Sequence, residues 1–212
     1  MTFDSFINKI PEIKSEPLLA SGAHLKMIPK TRLAFLNPNE HLDKNPKQAA
    51  VMMLFYPKEN KPHLVLIERA SYKGVHSAQI AFPGGKTEKD DVNLEGTALR
   101  ETQEEIGVIQ NKIEIIKSFS QIYVPPSNFL IAPFLGVAQE GLHFIPQPSE
   151  VANIIELPIE VLLSEATVQL VEKTTSYASA VEVPAYVYQG YAIWGATAMI
   201  LSELKETLLR VY

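Results

Sequence analysis

A glycine-rich turn that leads into an acidic helix is the feature that most constrains the fold of this chain. The turn contains Gly84-Gly85, and the helical stretch that follows carries Glu101, Glu104 and Glu105. With an advance of about 100° per residue, these carboxylates fall within roughly a 100° arc of the helix surface. The apolar residues of the same stretch lie in a neighbouring arc, centred roughly 120° away. One side of the helix can therefore pack against a core while the other presents clustered acids.

The clustered carboxylates indicate a cation site. Like charges three or four residues apart repel each other and weaken a helix. A hard divalent ion such as Mg2+ takes oxygen ligands, so a bound ion would offset that repulsion. The alternative is an ordinary acidic helix face that is covered by solvent.

The stretch resembles the Nudix box, in which a glycine and an acidic residue precede the pattern R-E-U-x-E-E-x-G-U, with U an apolar residue. The matching residues are Arg100, Glu101, Glu104, Glu105 and Gly107. Val108 fits the last apolar position, whereas Thr102 replaces the usual aliphatic residue. The resemblance implies an α/β/α sandwich and an enzyme that hydrolyses a diphosphate joined to another group.

The spacing within the box indicates one branch of that family. The gap between Gly85 and Arg100 is one residue longer than in the common form. The coenzyme A diphosphatase branch has the same longer gap, with acids placed like Glu88 and Asp91 and then a leucine like Leu94. The chain therefore resembles this branch in its box as well as in its general pattern.

A second segment, just before the glycines, resembles the same branch. Coenzyme A diphosphatases carry a signature that ends in H-x-G-Q-x-x-F-P-G-G, and residues 76–85 read HSAQIAFPGG. Gly74 stands where the branch usually has an arginine, and Ala78 where it usually has a glycine. If that arginine reads the 3′-phosphate of coenzyme A, its absence predicts a preference for another substrate.

The resemblance assigns metal-binding and orienting roles to the helix. Glu101, Glu104 and Glu105 match the family's ligands for Mg2+ or Mn2+. Gly85 would let a main-chain carbonyl approach the ion closely. Arg100 matches the residue that orients the glutamates by ion pairing, for which a bidentate guanidinium is suited.

Other acids have two open interpretations each. The general base that takes a proton from the attacking water is either Glu101 or Glu150, which precedes a predicted strand as in many coenzyme A branch members. Glu150 is equally well interpreted as a plain surface acid. Glu88 and Asp91 lie near the predicted helix start, where the helix dipole favours carboxylates. Either capping or metal binding would account for them.

Four residues around the glycine turn are candidates for substrate binding. His76 and Gln79 match the upstream signature and are predicted to contact the phosphates or the adenine. Arg69 and Lys86 are the candidates for a local positive patch that faces the nucleotide. The plainer alternatives are a structural histidine in a loop and basic residues that serve surface solubility.

These observations lead to one leading function and two rivals. The leading prediction is a metal-dependent hydrolase that cuts coenzyme A or its thioesters to 3′,5′-ADP and 4′-phosphopantetheine, or its acyl form. The first rival is a Nudix pyrophosphatase for ADP-ribose or another nucleoside diphosphate derivative. The second is a Nudix-fold binding module without catalysis. Such modules commonly lose box glutamates, whereas all three glutamates are present here.

Composition limits the partners and the location. The net charge is −5 with no basic excess, which argues against nucleic acid as a partner. The chain has no cysteine, no basic-then-apolar leader pattern and no apolar run of the roughly 20 residues that span a bilayer. We therefore expect a cytoplasmic protein with a small-molecule nucleotide-diphosphate substrate and no membrane association. A homodimer is a further expectation, because homodimers are common among Nudix proteins.

Periodicity along the chain predicts an α/β domain with a mixed sheet between helices. Strands are expected at 49–56, 63–68, 79–82, 113–121, 131–138, 151–156, 168–172 and 185–188, with a loop at 123–129. Helices are expected at 94–105, 159–164 and 196–210. Residues 1–47 are predicted to form an N-terminal helix and an irregular extension packed on the core. Residues 48–212 are predicted to form the Nudix hydrolase domain with its C-terminal helix.

Overall fold

The computed structural model describes residues 1–70, 79–173 and 181–212. The α-helices are α1 (Phe3–Ile7), α2 (Ile10–Ser15), α3 (Ser21–His24), α4 (Leu94–Ile106), α5 (Ile159–Leu163) and α6 (Gly195–Val211). The strands are β1 (Lys47–Lys58), β2 (Lys61–Arg69), β3 (Ile80–Ala81), β4 (Gly84–Lys86), β5 (Glu114–Ser118), β6 (Ile122–Val124), β7 (Phe129–Val137), β8 (Val151–Pro158), β9 (Val168–Lys173), β10 (Val181–Tyr188) and β11 (Tyr191–Trp194). Short 3-10 helices cover Lys30–Phe35, Pro38–Lys44, Gln110–Lys112 and Glu165–Thr167.

The central sheet is mixed, as predicted. Strand β1 runs parallel to β7 and antiparallel to β2 and β4. Strands β3 and β8 pair with β2, while β5 and β6 pair with β7, which completes eight strands. A separate antiparallel sheet has the order β11-β10-β9. The chain is thus of the mixed α/β class, and the glycine turn lies on β4, beside the centre of the main sheet.

Both faces of β1 are covered, which accounts for its continuous apolar sequence. Successive side chains of a strand point to opposite faces. Met53 and Phe55 join the core on the side of α6, whereas Met52 and Leu54 join the core on the side of α4. The first two helices of the chain lie on the α6 side, where Phe6 packs 4.7 Å from the ring of Phe55. The sheet therefore lies between two helical layers.

Several element predictions differ from the structure. The loop expected at 123–129 is wrong in part, because β6 and β7 form a hairpin whose turn is closed by a hydrogen bond from Ser127 N to Val124 O. The helix expected near the N-terminus is two helices, and Pro11 lies in the first turn of α2, where a missing N–H is tolerated. The glycine pair lies in a short strand, since Gly85 pairs with Ala50. Among the described residues, no helix has the length and hydropathy needed to cross a membrane.

Candidate active site

Helix α4 presents its glutamates beside β4 because both of its ends are fixed. The Asn93 side chain accepts a hydrogen bond from Gly96 N at 2.8 Å and caps the first turn. The helix ends at Gly107, which has φ +74° and donates its N–H to Gln103 O at 2.9 Å. Buried residues such as Ala98 and Ile106 pack on the sheet. The prediction of a helix over 94–105 that stops at Gly107 is confirmed.

Arg100 connects three carboxylates and the glycine strand. Its guanidinium donates two hydrogen bonds to Asp91, at 2.9 and 3.0 Å. It also bonds Glu101 at 3.0 Å, Glu104 at 2.8 Å and the main-chain oxygen of Lys86 at 3.0 Å. A planar, permanently charged fork is suited to such a set of acceptors. Arg100 therefore fixes the orientation of Glu101 relative to β4.

Asp91 anchors the loop between β4 and α4. Besides Arg100, its carboxylate accepts hydrogen bonds from Glu88 N and from the Thr97 hydroxyl, each at 2.8 Å. The hydrogen bonds from Arg100 hold the pKa of Asp91 well below its usual range. Capping of the first helical turn belongs to Asn93, so Asp91 instead serves as the partner of Arg100. The sequence indicated a role for the acidic residue at this position, but it did not identify Arg100 as its partner.

Glu105 is a buried carboxylate with two donors. Its side chain is 1% exposed and bonds Gly84 N at 2.8 Å and the Arg69 guanidinium at 3.2 Å. Burial raises the pKa of Glu105 to about 7, although the Gly84 N–H and the charge of Arg69 act in the opposite direction. A buried carboxylate with an incompletely compensated charge favours a further positive partner.

Glu101, Glu105 and Glu150 form a carboxylate cluster. One carboxylate oxygen from each lies within 4.8 Å of the others. Burial raises the pKa of Glu101 as well, opposed by the neighbouring Arg100. Gly85 leaves space for this cluster, because a Cβ there would lie 2.5 Å from the Glu101 carboxyl carbon. Three hard oxygen donors around one point fit a divalent cation of the Mg2+ type.

The remaining predicted site residues are placed as follows. Glu104 bonds Arg100 and lies at the exposed edge of α4, outside the carboxylate cluster. Arg69 reaches the cluster through Glu105, and its main-chain N–H bonds Gln79 O at 3.0 Å, so these two substrate-binding candidates are adjacent. The Lys86 side chain is exposed. His76 lies outside the described residues.

Comparisons with known proteins agree with this fold. A family model described as the NUDIX domain matches residues 46–176. A protein of Photorhabdus laumondii subsp. laumondii, described as an uncharacterized Nudix hydrolase, NudL, is 31% identical over 169 residues, covering 80% of this chain and 89% of the relative. A relative from Enterobacter sp. with the same description is 32% identical over 180 residues, covering 82% of this chain and 90% of its own length.

Among solved structures, a Nudix hydrolase from M. smegmatis, RenU, superposes with a TM-score of 0.53 and 15% identity, covering 79% of this chain and 88% of that one. This likeness supports the fold. The fold and the carboxylate-bearing helix define a hydrolase that acts on diphosphate bonds, a class that generally needs divalent metal ions. The chain belongs to the Nudix family.

Proposed function

We propose that the protein hydrolyses the diphosphate of coenzyme A or its thioesters and releases 3′,5′-ADP and 4′-phosphopantetheine, or its acyl form. The carboxylate cluster of Glu101, Glu105 and Glu150 is the observation that supports diphosphate hydrolysis. The choice of coenzyme A is supported by the sequence: the longer gap before Arg100 and the HSAQIAFPGG segment at 76–85.

The cluster is proposed to hold Mg2+ or Mn2+. Glu101, Glu105 and Glu150 would supply carboxylate oxygens, the Gly85 carbonyl lies on the adjoining strand, and Glu104 is a further donor at the rim. Such an ion neutralises charge on phosphate oxygens and lowers the pKa of a bound water. All of the donors are oxygens, which suits these hard ions better than softer metals.

The protein's own residues would orient the reacting groups. Arg100 holds Glu101 against β4, so this carboxylate has a fixed position before substrate arrives. Arg69 is 25% exposed at its side chain, and its remaining N–H groups would donate to a phosphate oxygen. Glu101 and Glu150 are the two candidates for the group that accepts the proton of the attacking water. A fixed arrangement of this kind accelerates phosphoryl transfer chiefly by positioning and charge neutralisation.

ADP-ribose is the second candidate substrate, because Gly74 stands where coenzyme A diphosphatases usually have an arginine. The two candidates share the diphosphate and the adenosine but differ in the 3′-phosphate. A site without a guanidinium for the 3′-phosphate would lose little binding free energy when it binds ADP-ribose in place of coenzyme A.

A substrate panel tests this proposal. The purified protein is incubated with Mg2+ or Mn2+ and with coenzyme A, an acyl thioester, dephospho-coenzyme A, ADP-ribose or a nucleoside triphosphate. The Glu101→Gln variant removes a cluster carboxylate, and Glu95→Gln makes the same charge change in the first turn of α4, outside the cluster.

We expect metal-dependent release of 3′,5′-ADP from coenzyme A, lost in Glu101→Gln and retained in Glu95→Gln. Faster turnover of ADP-ribose or dephospho-coenzyme A would support diphosphate hydrolysis but would show that coenzyme A is not the preferred substrate. Metal binding without turnover of any compound would replace hydrolysis by a binding function.

A further inference from the structure

Residues 139–150, here called the strap, connect β7 to β8 and cross the C-terminal end of α4. No α-helix or strand interrupts this segment, all of which lies in the described part of the chain. Ile145 N donates to Ile106 O, and Gln147 N donates to Glu105 O, each at 2.9 Å. The last carbonyls of a helix have no partner within it, so the strap satisfies two of those of α4. One of these carbonyls belongs to Glu105, whose side chain is in the carboxylate cluster.

The strap ends in a turn that carries Glu150. Gln147 O accepts hydrogen bonds from Glu150 N at 3.0 Å and from Val151 N at 2.8 Å. On the other side, Glu150 O accepts a hydrogen bond from Ala70 N at 2.8 Å. The main chain of Glu150 is thus fixed both to the turn that rests on α4 and to the segment that follows β2. Its side chain is exposed, so the position of the main chain sets which groups the carboxylate can reach.

Gly107 allows the strap to approach the helix this closely. A Cβ at this position would lie 2.8 Å from Ile145 Cβ and 3.2 Å from the nitrogen and the oxygen of Ile145. Main-chain atoms cannot yield as the end of a flexible side chain does. The strap also packs on the core at Phe144, whose ring meets that of Tyr56 edge-on at 5.3 Å between centroids. Ile145 is itself 64% exposed, so at this residue the strap is joined to α4 by its backbone hydrogen bond, which requires the short approach that Gly107 permits.

We propose that Gly107 is a positioning residue: by docking the strap on the end of α4, it places Glu150 beside Glu101 and Glu105. This inference rests on the proposed role of the carboxylate cluster. It makes Glu150 dependent on the helix that carries the other two acids, because the turn at Gln147 is bonded to the main chain of Glu105. A shift of the strap would then withdraw one carboxylate and leave the other two in place.

A double-mutant cycle between positions 107 and 150 tests the proposal. Gly107→Asn introduces a Cβ while keeping a residue that tolerates positive φ, so the contact with the strap changes more than the local backbone preference. Gly190→Asn is the matched control, because Gly190 has φ +83° and a Cβ added there would meet no described atom within 4 Å. Glu150→Gln and the Gly107→Asn/Glu150→Gln double variant complete the cycle. Gln147→Pro, which deletes a strap N–H, is a second route to the same displacement.

Two quantities are measured for each protein: Mn2+ affinity by calorimetry without substrate, and kcat and KM for the compound that is turned over. Loss of a group that supports a metal site lowers affinity by about 10- to 100-fold. We expect such a loss in Glu150→Gln and in Gly107→Asn, with kcat reduced and KM little changed. The double variant should be no weaker than Glu150→Gln alone, because Gly107 acts through Glu150. Gly190→Asn should match the parent protein.

Wild-type behaviour of Gly107→Asn, or losses that multiply in the double variant, would overturn the proposal. If Gly107→Asn does not fold, as judged by its thermal transition, Gln147→Pro takes its place in the cycle with the same expected outcomes. The Mn2+ arm separates this proposal from that of the substrate. If the cycle in Mn2+ affinity is non-additive but coenzyme A is not turned over, the positioning role of Gly107 is supported and coenzyme A is rejected as the substrate. If the cycle is additive and coenzyme A is turned over, coenzyme A is supported as the substrate and the positioning role of Gly107 is rejected.

Discussion

Replacing Gly85 by alanine should reduce catalysis strongly while leaving the fold intact. The new Cβ would lie 2.5 Å from both the carboxyl carbon and an oxygen of Glu101. Non-bonded carbon atoms prefer a separation of about 3.5 Å, so the Glu101 carboxyl must move by about 1 Å. A displacement of that size at a catalytic group costs on the order of 100-fold in rate. This corresponds to about 2.7 kcal/mol of transition-state stabilisation.

The cost to stability should be small by comparison, because the atoms that must move are the end of a flexible side chain. Gly85 does not have a positive φ, so alanine is compatible with its backbone and changes the free energy of unfolding by about 1 kcal/mol or less. Gly84→Ala is the contrasting variant: its Cβ would lie 2.4 Å from the Ala50 carbonyl oxygen, and its φ is +152°. That variant should lose stability and activity together.

Steady-state kinetics and thermal unfolding of the same samples provide the assay. Gly96→Ala is the control on α4, where the nearest atom to a new Cβ is the Asn93 side-chain oxygen at 3.5 Å. It should keep the parental kcat/KM and gain up to about 1 kcal/mol of stability from helix propensity. Parental kcat/KM in Gly85→Ala, or a loss that follows a lowered melting temperature, would refute the reasoning about Glu101.

Three further substitutions test other parts of the structure. Glu203→Gln should lower the free energy of unfolding by about 2 kcal/mol, measured by denaturant unfolding. Burial raises the pKa of Glu203, but the neighbouring His24, 3.4 Å away, and hydrogen bonds from Ser120 outweigh burial, so the pKa lies below its usual value. The stabilisation by ionised Glu203 is complete above pH 4.5 and is lost as pH falls through the folded-state pKa. The free energy of unfolding of the variant should therefore fall less steeply than that of the parent as the pH is lowered. Arg100→Lys, which cannot hold Asp91 bidentately and bond the glutamates together, should lower kcat/KM on the order of 100-fold; a parental value would contradict its orienting role. Thr102→Val should change the free energy of unfolding by less than about 1 kcal/mol and leave the kinetics at parental values. The lost hydroxyl donates only to the Ala98 carbonyl, which keeps its backbone partner within the helix.

Elements with strong local signals could be predicted from the sequence. Helix α4 has an apolar arc, a capping Asn93 and a terminal glycine, and its predicted C-terminal end lies within one residue of the observed one. Strand β1 is apolar throughout because both of its faces are buried. Strand β11 escapes prediction, since its four residues are recognisable as a strand mainly through their pairing with β10. Long-range pairing leaves little trace in so short a segment.

The same distinction applies to the candidate site. The glutamates of α4 are predictable because their spacing is fixed by the helix itself. The bonding of Arg100 to Asp91 depends on the path of the intervening loop, and no periodicity encodes that path. The place of Glu150 in the carboxylate cluster depends on the strap, whose backbone hydrogen bonds to the end of α4 leave no periodic pattern in the sequence. Sequence spacing therefore identifies candidate acidic residues, but it does not show which of them lie together in the folded chain.

The helical layer on the α6 side of the sheet limits how far this chain can be shortened. The family match covers residues 46–176, yet that layer is built from Phe3, Phe6 and Ile13 near the N-terminus and from α6 at the other end. A protein trimmed to the matched region would expose the face of the sheet that carries Phe55 to water. Large exposed apolar surfaces favour association over solubility. A chain cut to residues 46–176 should therefore aggregate more readily than the full chain, because both flanks cover this face of the sheet.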